Sequence, residues 1–278
     1  MANLNYSDME LIFLGTGGGR VVACSQKRAT GGFVIKEENF QIHVDPGPGA
    51  LIRCIQNHID VSKTKYLFLS HAHFEHVAGT WEIVEAMSGG GLRKGGSILM
   101  NKSCAFGARG EEIFSPILQE YWKNFLEIKV LEAGEEIDFP EFSIKTCRAI
   151  HEDPYAVGAI FKFKSITIGY TGDTMFSKEI AESYRGCDLL ILNVLRPNNF
   201  KLKMHMCTIE AIEFLKYSEV KNAILQHFGM KMLRVGPERE ALFIKQATGK
   251  NVIAATDNLR VDLRKFIMQE GLGKYYEK

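Results

Sequence analysis

The stretch Ser70-His71-Ala72-His73-Phe74-Glu75-His76 places three imidazoles and a carboxylate within six residues. It follows the apolar run Tyr66-Leu67-Phe68-Leu69, which is typical of a buried strand. Imidazole and carboxylate are ligands that zinc and similar divalent ions prefer. A strand that ends in a turn can direct these side chains into one cleft, whereas a helix brings together only residues three or four apart. The stretch therefore predicts a metal-binding loop; the alternative is a solvated, histidine-rich surface turn.

Composition is that of an ordinary globular protein. The chain has 278 residues, of which 46% are apolar and 24% charged, and its formal net charge is +1. Such a balance creates no global field for nucleic acid or an anionic membrane. The first ten residues lack a basic region and an apolar core, and no apolar run approaches the length of a membrane span. Six cysteines without a CxxC motif indicate free thiols, most of them buried, so we expect a cytoplasmic protein.

Three other polar side chains come directly after predicted strands. His151 follows a strand at 142–146, Asp173 follows a hairpin of 157–163 and 166–170, and His227 follows a strand at 223–226. Ligands of α/β proteins gather where strands end and loops converge. The chain therefore predicts one site built from distant strands. Strand-rich stretches broken by helices in both halves indicate two packed sheets with helices outside.

Two glycine-containing turns come after predicted strands. Gly15-Thr16-Gly17-Gly18-Gly19-Arg20 lacks the third glycine of a dinucleotide fingerprint, and no clear helix follows it. It predicts backbone passing close to a cleft rather than a nicotinamide or flavin site. In Asp45-Pro46-Gly47-Pro48-Gly49, Asp45 is either a turn or cap residue or a carboxylate that holds the second nitrogen of a ligand imidazole, and we favour the latter.

The remaining elements are predicted from periodicity and turn signals. Further strands are predicted at 11–14, 32–35, 40–44, 65–69, 98–100, 128–130, 189–194 and 252–255. Helices are predicted at 48–58, 76–87, 111–125, 207–216 and 238–247. The segment 89–122 is the least determined, and we expect it to overhang the cleft.

Taken together, these motifs resemble those of the metallo-β-lactamase superfamily of binuclear metallohydrolases. The stretch 71–76 stands where that family has HxHxDH, His151 matches its third-motif histidine, Thr171-Gly172-Asp173-Thr174 its bridging-aspartate motif, and His227 its last ligand. Leu14-Gly15-Thr16-Gly17 and Asp45-Pro46-Gly47 match its early turns. The resemblance covers residues 9–260. It implies an α/β (α+β) fold, a four-layer αββα sandwich, with residues 1–278 in a single domain.

Within the superfamily, the chain is most similar to the phosphodiesterase branch, which includes tRNase Z and the phosphoribosyl cyclic phosphodiesterase. Met204-His205-Met206-Cys207-Thr208 lies where these enzymes keep a histidine beside the scissile phosphate. His227-Phe228-Gly229-Met230-Lys231 resembles the tRNase Z pattern HFSxR. Only 21 residues separate His151 from Asp173, which leaves room for a hairpin but not for a tRNA-gripping insertion. The compact spacing favours the cyclic phosphodiesterase.

The resemblance also implies a ligand set for two divalent ions. His71, His73 and His151 would hold one ion, Glu75, His76 and His227 the other, and Asp173 would bridge them. Glu75 replaces the family's usual Asp, so its carboxylate is one methylene longer, which makes the second site the open question. Zinc is the default metal for imidazole and carboxylate ligands, with manganese or iron as alternatives.

The expected function is a binuclear metal-dependent hydrolase. Its substrate would be a small cyclic, phosphosugar or nucleotide-like phosphodiester, attacked by hydroxide formed from a metal-activated water. Asp173 and His205 would be the catalytic residues, His205 as general acid or oxyanion stabiliser, unless it caps the next helix. Lys201, Lys203 and Lys231 are either a phosphate clamp or solvated charges.

Three alternatives remain for the function. They are tRNA 3′ processing, hydrolysis of a lactone, carboxyl ester or lactam, and a degenerate metal-binding protein without activity. The expected partner is a small molecule and not a membrane, nucleic acid is disfavoured by the net charge, and a homodimer is compatible with the sequence.

Overall fold

Two seven-stranded sheets form the centre of the molecule. The computed structural model describes residues 9–110, 112–263 and 265. The strands within these residues are β1 (Glu10–Phe13), β2 (Phe33–Lys36), β3 (Gln41–Val44), β4 (Thr64–Leu69), β5 (Ser97–Asn101), β6 (Ala108–Arg109), β7 (Ile113–Phe114), β8 (Glu127–Leu131), β9 (Glu136–Asp138), β10 (Ser143–Arg148), β11 (Val157–Lys162), β12 (Thr167–Tyr170), β13 (Leu189–Asn193), β14 (Asn222–Gln226), β15 (Asn251–Ala254) and β16 (Arg260–Asp262).

Both large sheets have the same internal pattern. The first has the order β16-β1-β2-β3-β4-β5-β8 and the second the order β15-β14-β13-β12-β11-β10-β9. In the first sheet, the pairings from β16 to β3 are antiparallel and those from β3 to β8 are parallel. In the second sheet, the pairings from β9 to β12 are antiparallel and those from β12 to β15 are parallel. As a result, β4, β10, β12 and β14 all direct their carboxyl ends towards one region of the molecule.

Helices cover the outer faces of the two sheets. Those within the described residues are α1 (Arg20–Ser25), α2 (Ala50–Gln56), α3 (Phe74–Val77), α4 (Thr80–Ser88), α5 (Lys102–Phe106), α6 (Lys178–Ser183), α7 (Thr208–Ser218), α8 (Met230–Val235) and α9 (Pro237–Thr248), with 3₁₀ turns at Val61–Lys63 and Glu120–Asn124. None of them combines the length and the apolar character needed to cross a bilayer.

Alternation along the strands separates three apolar layers. In β4, Tyr66 and Phe68 belong to the core between the sheets, whereas Leu67 and Leu69 pack among the outer helices. This is the period-two pattern of a strand that is covered on both faces. Similarly, Ile191 faces the inter-sheet core while its neighbours Leu190 and Leu192 face α6 and α7. The layers are therefore helix, sheet, sheet and helix, which confirms the predicted αββα class.

The structure corrects the predicted helix over residues 111–125. Instead, β7 pairs with β6 as a short hairpin, and a 3₁₀ turn covers Glu120–Asn124. Pro116 explains the difference, because it lacks an amide proton and disfavours helical geometry at Ser115. Likewise, the stretch after the glycine turn is a helix, α1, and the predicted helix 76–87 is divided at Gly79 into α3 and α4.

Residues 1–8, 111, 264 and 266–278 lie outside the described residues. The expectation for the amino terminus concerns residues 1–8, and the single-domain prediction covers all of these positions, so both remain predictions.

Candidate metal centre

Five histidines meet where the two sheets end together. His71, His73 and His76 come from the loop and short helix after β4, whereas His151 and His227 follow β10 and β14. The Nε2 atom of His151 lies 2.9 Å from Nδ1 of His73. The Nε2 atoms of His76 and His227 are 3.0 Å apart. All five side chains are buried, so the predicted cluster assembles from both sheets.

Asp173 lies at the centre of this cluster. Its Oδ2 atom is 3.2 Å from His227 Nε2, 3.6 Å from His76 Nε2, 3.9 Å from His71 Nε2 and 4.0 Å from His151 Nε2. Burial acts to raise the pKa of Asp173, but the surrounding imidazoles hold that pKa well below its usual range. The carboxylate is therefore ionised and can be shared between two cations.

The donor set fits two divalent ions. Donor atoms of His71, His73 and His151 lie within 4.8 Å of one another, as do those of Glu75, His76 and His227. Within the described residues, His71 Nε2, Glu75 Oε2 and Asp173 Oδ2 are buried and have no hydrogen-bond partner. Buried polar atoms are costly unless they are paired or coordinated. Burial also lowers the pKa of His71 and of His227, which keeps both imidazoles in the neutral form that binds metals.

Three of these imidazoles, those of His71, His76 and His151, have a partner for the nitrogen that faces away from the centre. His76 Nδ1 donates to Asp45 Oδ2 at 2.9 Å, and His151 Nδ1 donates to Met204 O at 3.1 Å and lies 2.9 Å from Glu152 Oε2. Ser70 donates its single hydroxyl proton to Asp45 at 2.6 Å, so its oxygen accepts from His71 Nδ1 at 3.0 Å. Such contacts fix ring orientation and tautomer at metal sites. They leave Nε2 of His71, His76 and His151 facing the centre.

Asp45 accepts several of the hydrogen bonds that surround the ligand imidazoles. It accepts from Ser70 N at 2.8 Å and from Tyr170 OH at 2.6 Å, in addition to Ser70 Oγ and His76. Its backbone is left-handed, with φ of 49°, and the side chain is buried. The structure therefore places Asp45 against a predicted ligand rather than at a helix cap.

Two polar residues that support the centre were not among the predicted site residues. Asn193 donates from Nδ2 to Asp173 Oδ1 at 2.7 Å, and Gln226 Nε2 donates to Asn193 Oδ1 at 3.0 Å. Asn193 is the single polar side chain of the otherwise apolar β13, which was the available signal. Its contact holds one oxygen of Asp173 so that the other faces the imidazoles.

His205 lies beside the cluster, on the loop between β13 and α7. Its Nδ1 atom is 3.5 Å from Asp173 Oδ2, and its ring centroid is 4.9 Å from that of His151. It does not cap the next helix, because Cys207 is the N-cap of α7 and donates its amide to Glu210 at 3.0 Å. Burial lowers the pKa of His205, while the charge of Asp173 acts in the opposite direction.

A cavity of about 540 Å³ opens onto this centre. His73, Glu75, Glu112, Glu152 and His205 line it on the side of the centre. The cations that line it are Arg20, Arg196, Lys231 and Arg234, and the apolar part includes Val21, Leu195 and Leu202. A site with these groups can bind an anionic ligand that also has an apolar portion.

The three predicted clamp lysines separate in the structure. Lys231 lines the cavity, and its ammonium lies 5.1 Å from the centre of the Phe200 ring. Lys201 and Lys203 are not among the lining residues, and Lys201 Nζ lies 3.7 Å from Glu210 Oε1. Three further cations of the cavity were not predicted, because no sequence motif marks them: Arg20, Arg196 and Arg234.

The glycine turn passes against the site. A Cβ atom built on Gly18 would lie 2.4 Å from Cγ and Nδ1 of His227. The amide of Gly18 donates to Phe228 O at 3.1 Å, which joins the turn to the residue after His227. The expected close approach of backbone to a cleft is thus present, and the approach is to an imidazole.

Comparison with known proteins adds sequence relatives. Residues 41–228 match the family model described as the Beta-lactamase superfamily domain. An uncharacterised protein of Methanocaldococcus jannaschii is 38% identical over 260 residues, which cover 92% of this chain and 95% of that protein. Ribonuclease Z of Sulfolobus acidocaldarius is 24% identical, over 94% of this chain and 99% of the enzyme.

Solved structures share the fold. The metallo-beta-lactamase fold protein YhfI of Bacillus subtilis superposes with a TM-score of 0.73 at 17% identity, over 92% of this chain and 99% of that one. A diphosphatase of the PhnP family gives a TM-score of 0.64 at 17% identity, over 91% and 97% of the two chains.

Proposed function

Because this chain belongs to the beta-lactamase superfamily and is a metal-dependent hydrolase, we propose that it is a binuclear phosphodiesterase acting on a small cyclic, phosphosugar or nucleotide-like phosphodiester. The observation that supports this proposal most directly is the cavity, which is lined both by the imidazole and carboxylate cluster and by Arg196 and Lys231. Neither Arg196 nor Lys231 has an acidic partner among the described residues, so both are available to an anion. A lactone or a lactam carries no phosphate charge for them to bind.

The cations of the cavity and the predicted metal ligands have separate roles in this proposal. Arg196 and Lys231 bind the non-bridging oxygens of the phosphodiester, since guanidinium matches phosphate geometry and ammonium provides a point charge. When bound, divalent ions, with zinc as the first choice, would act as Lewis acids on the phosphoryl group and lower the pKa of the attacking water. His71, His73 and His151 would hold one ion, Glu75, His76 and His227 the other, with Asp173 between them.

His205 would serve the leaving group. Its Nδ1 atom is directed at Asp173, so Nε2 is the atom that can face the departing oxygen. Asp173 can only accept, so Nδ1 carries a proton and Nε2 can donate only when the ring is an imidazolium. The imidazolium would give its Nε2 proton to the departing alkoxide as the ester bond breaks, which leaves a neutral ring protonated on Nδ1. Burial lowers the pKa of His205, which makes this imidazolium a stronger acid.

One observation favours tRNA 3′ processing as a second candidate. The ribonuclease Z of Sulfolobus acidocaldarius aligns with nearly the whole of this chain. Against it, β11 and β12 are joined by residues 163–166 alone, and the net charge of +1 is unlike that of proteins that track a phosphate backbone.

The six cysteines are free thiols, which supports our assignment to the cytoplasm.

The experiment compares substrate classes with zinc-loaded protein. We expect turnover of bis(p-nitrophenyl) phosphate and of a cyclic nucleotide ester, and little turnover of a lactone or a lactam. Arg196→Ala and Lys231→Ala should each lower kcat/KM by about 10-fold or more, because each removes a charged hydrogen bond. His205→Ala should lower kcat by about 100-fold or more.

Lys201→Ala is the matched control, since it removes the same charge outside the cavity and should leave kcat/KM unchanged. Faster cleavage of a precursor tRNA than of any small phosphodiester would favour the second candidate. Preference for the lactone or the lactam, or full activity of the His205 variant, would overturn the proposal. Less than one metal ion per chain would favour a degenerate binding protein.

A further inference from the structure

Asp153 is a buried carboxylate that the proposed chemistry does not use. Its side chain is 1% exposed and lies two residues after His151. It accepts hydrogen bonds from Ala72 N at 2.9 Å, Asn101 Nδ2 at 2.9 Å, Tyr155 N at 3.0 Å and the hydroxyl of Ser103. No Lys or Arg within the described part of the chain forms an ion pair with it.

The four donors come from different parts of the fold. Ala72 is the residue between His71 and His73 on the loop after β4. Asn101 ends β5, and Ser103 lies in the first turn of α5. Tyr155 belongs to the same loop as Asp153, and its carbonyl accepts from Asn101 Nδ2 at 3.0 Å. The carboxylate therefore ties the histidine loop of the first sheet to the His151 loop of the second.

Four converging donors require a group that only accepts. An ionised carboxylate offers two oxygens with room for about four hydrogen bonds and no proton of its own. An asparagine in the same place would direct an amide NH₂ at one of the donors. A buried carboxylate without a cation is an inefficient way to stabilise a fold, because its desolvation opposes the gain from its hydrogen bonds. Its contacts instead fix the relative position of two loops that carry predicted ligands.

We propose that Asp153 is a positioning residue that sets the distance between His73 and His151 and thereby preorganises the first metal site. The Ala72 amide is bound directly, so the backbone next to His73 cannot move away from the His151 loop without breaking that bond. The inference rests on the proposed metal centre but is independent of the identity of the substrate.

Cobalt binding tests the role directly. Metal-free protein is titrated with Co²⁺, and the visible absorption spectrum and the affinity in competition with a chelator are measured. In Asp153→Asn, we expect the affinity of one site to fall by about 10-fold or more and its absorption bands to change, as for other partners of metal ligands. The spectrum reports ligand geometry, which a general loss of stability would not alter.

Asp257→Asn is the matched control. Asp257 also accepts several hydrogen bonds, from Thr16 N at 2.9 Å, Thr16 Oγ1 at 2.8 Å and Ala29 N at 2.8 Å, and unlike Asp153 it pairs with a cation, Arg53, at 3.2 Å. None of these donors belongs to the loops of His73 or His151. We expect this variant to lose thermal stability while it keeps the wild-type cobalt spectrum and affinity of the first site.

A folded Asp153→Asn protein with wild-type cobalt affinity and spectrum would overturn the inference and leave the proposed function intact. Wild-type protein that binds no cobalt would overturn both. If Asp153→Asn does not fold, Ser103→Ala decides, because it removes one donor and keeps the carboxylate. That variant should weaken the same site by a smaller factor, and unchanged cobalt binding would overturn the inference.

Discussion

At the scale of single residues, the length of the Glu75 side chain decides whether its carboxylate can lie beside His76 and His227. The sequence shows only that its carboxylate is one methylene longer than the family's usual Asp. In the structure, Glu75 is buried, its Oε2 atom has no partner among the described residues, and its donor lies within 4.8 Å of those of His76 and His227. The longer side chain therefore still reaches the second group of donors.

His43 shows the energetic effect of burying an imidazole away from any metal. Its Nε2 atom donates to Gly31 O at 2.9 Å, and its Nδ1 atom has no partner among the described residues. Burial lowers the pKa of His43 to about 4, although the hydrogen bond to Gly31 and the charge of Asp45 act in the opposite direction. The side chain is thus neutral in the folded state over the range in which a free imidazole becomes protonated.

This shift predicts a pH-dependent loss of stability. Between pH 6.5 and pH 4 the unfolded chain binds a proton at His43 that the folded chain does not, so the free energy of unfolding falls as the pH falls. The contribution approaches about 3 kcal/mol near pH 4. Urea unfolding at several pH values gives the free energy of unfolding of metal-free wild type and of metal-free His43→Gln. The contribution of His43 is the difference between the two proteins in how steeply this free energy changes with pH.

In the glutamine variant, the amide can still donate to Gly31 O but does not titrate. The two proteins share every other ionisable group, so the shared pH dependence cancels in the comparison. Parallel pH profiles for the two proteins would contradict the prediction.

At the scale of elements, the site is formed by the turns and loops at the ends of the strands. The glycine turn between β1 and α1, the loop after β4 and the loop before α7 all bring side chains or backbone to one place. The segment that forms β6 and β7 also contributes, since the Phe114 ring centroid lies 5.4 Å from that of His73 and Glu112 lines the cavity. Arg20 of α1 pairs with Glu112 at 2.5 Å, so these two elements meet at the cavity.

The glycine turn gives a prediction at this scale. Gly18→Ala adds a methyl group where only 2.4 Å separates the new Cβ from the His227 ring, so the ring or the turn must shift from its present position. We expect the metal affinity to fall on the order of 10-fold or more, as it does when the support of a ligand is lost. Chelator competition with zinc measures this effect.

Gly110→Ala is the matched control, because the nearest atoms to its new Cβ would be 3.5 Å away. It should bind zinc like the wild type. Equal zinc affinities for the two alanine variants would contradict the prediction, because they would mean that the turn can shift without displacing His227.

At the scale of the whole molecule, the two sheets contribute separate halves of the centre. His71, His73 and His76 belong to the first half of the chain, and His151, Asp173 and His227 to the second. The inter-sheet core holds the halves together through residues such as Phe68 and Phe161, whose rings are 5.7 Å apart. Metal ions bound here would therefore add a second link between the sheets.

Removal of metal should lower the thermal stability. Ions that bind only the folded state stabilise it by about 2.7 kcal/mol when they are present at 100 times their dissociation constant. For a chain of this size, the midpoint of thermal unfolding should fall by roughly 5–10 °C on chelation. Calorimetry with zinc and with a chelator measures the shift.

Asp173→Asn should abolish most of this response, since the shared carboxylate is lost. A midpoint in the wild type that does not depend on zinc would contradict the prediction.

Local patterns predicted much of this architecture. The apolar run of β4, the alternation of β8 and β10 and the turns around them are properties of neighbouring residues, and each predicts a strand that the structure contains. The predicted helix at 111–125 is wrong because Pro116 disfavours helical geometry at Ser115. Short elements such as β6, β7 and α1 depend on contacts with distant parts of the chain, so local periodicity does not reveal them.

The sequence by itself determined the kinds of groups in the site, because ligand-type side chains at strand ends are a local feature that the family resemblance connects. Only the tertiary structure decided which groups support them. Asn193 contacts Asp173, 20 residues away, and Asp153 accepts from Ala72 and Asn101, which are farther still along the chain. Such contacts arise from the packing of two sheets, and the free energy of burying polar groups together depends on distances that residue order does not contain.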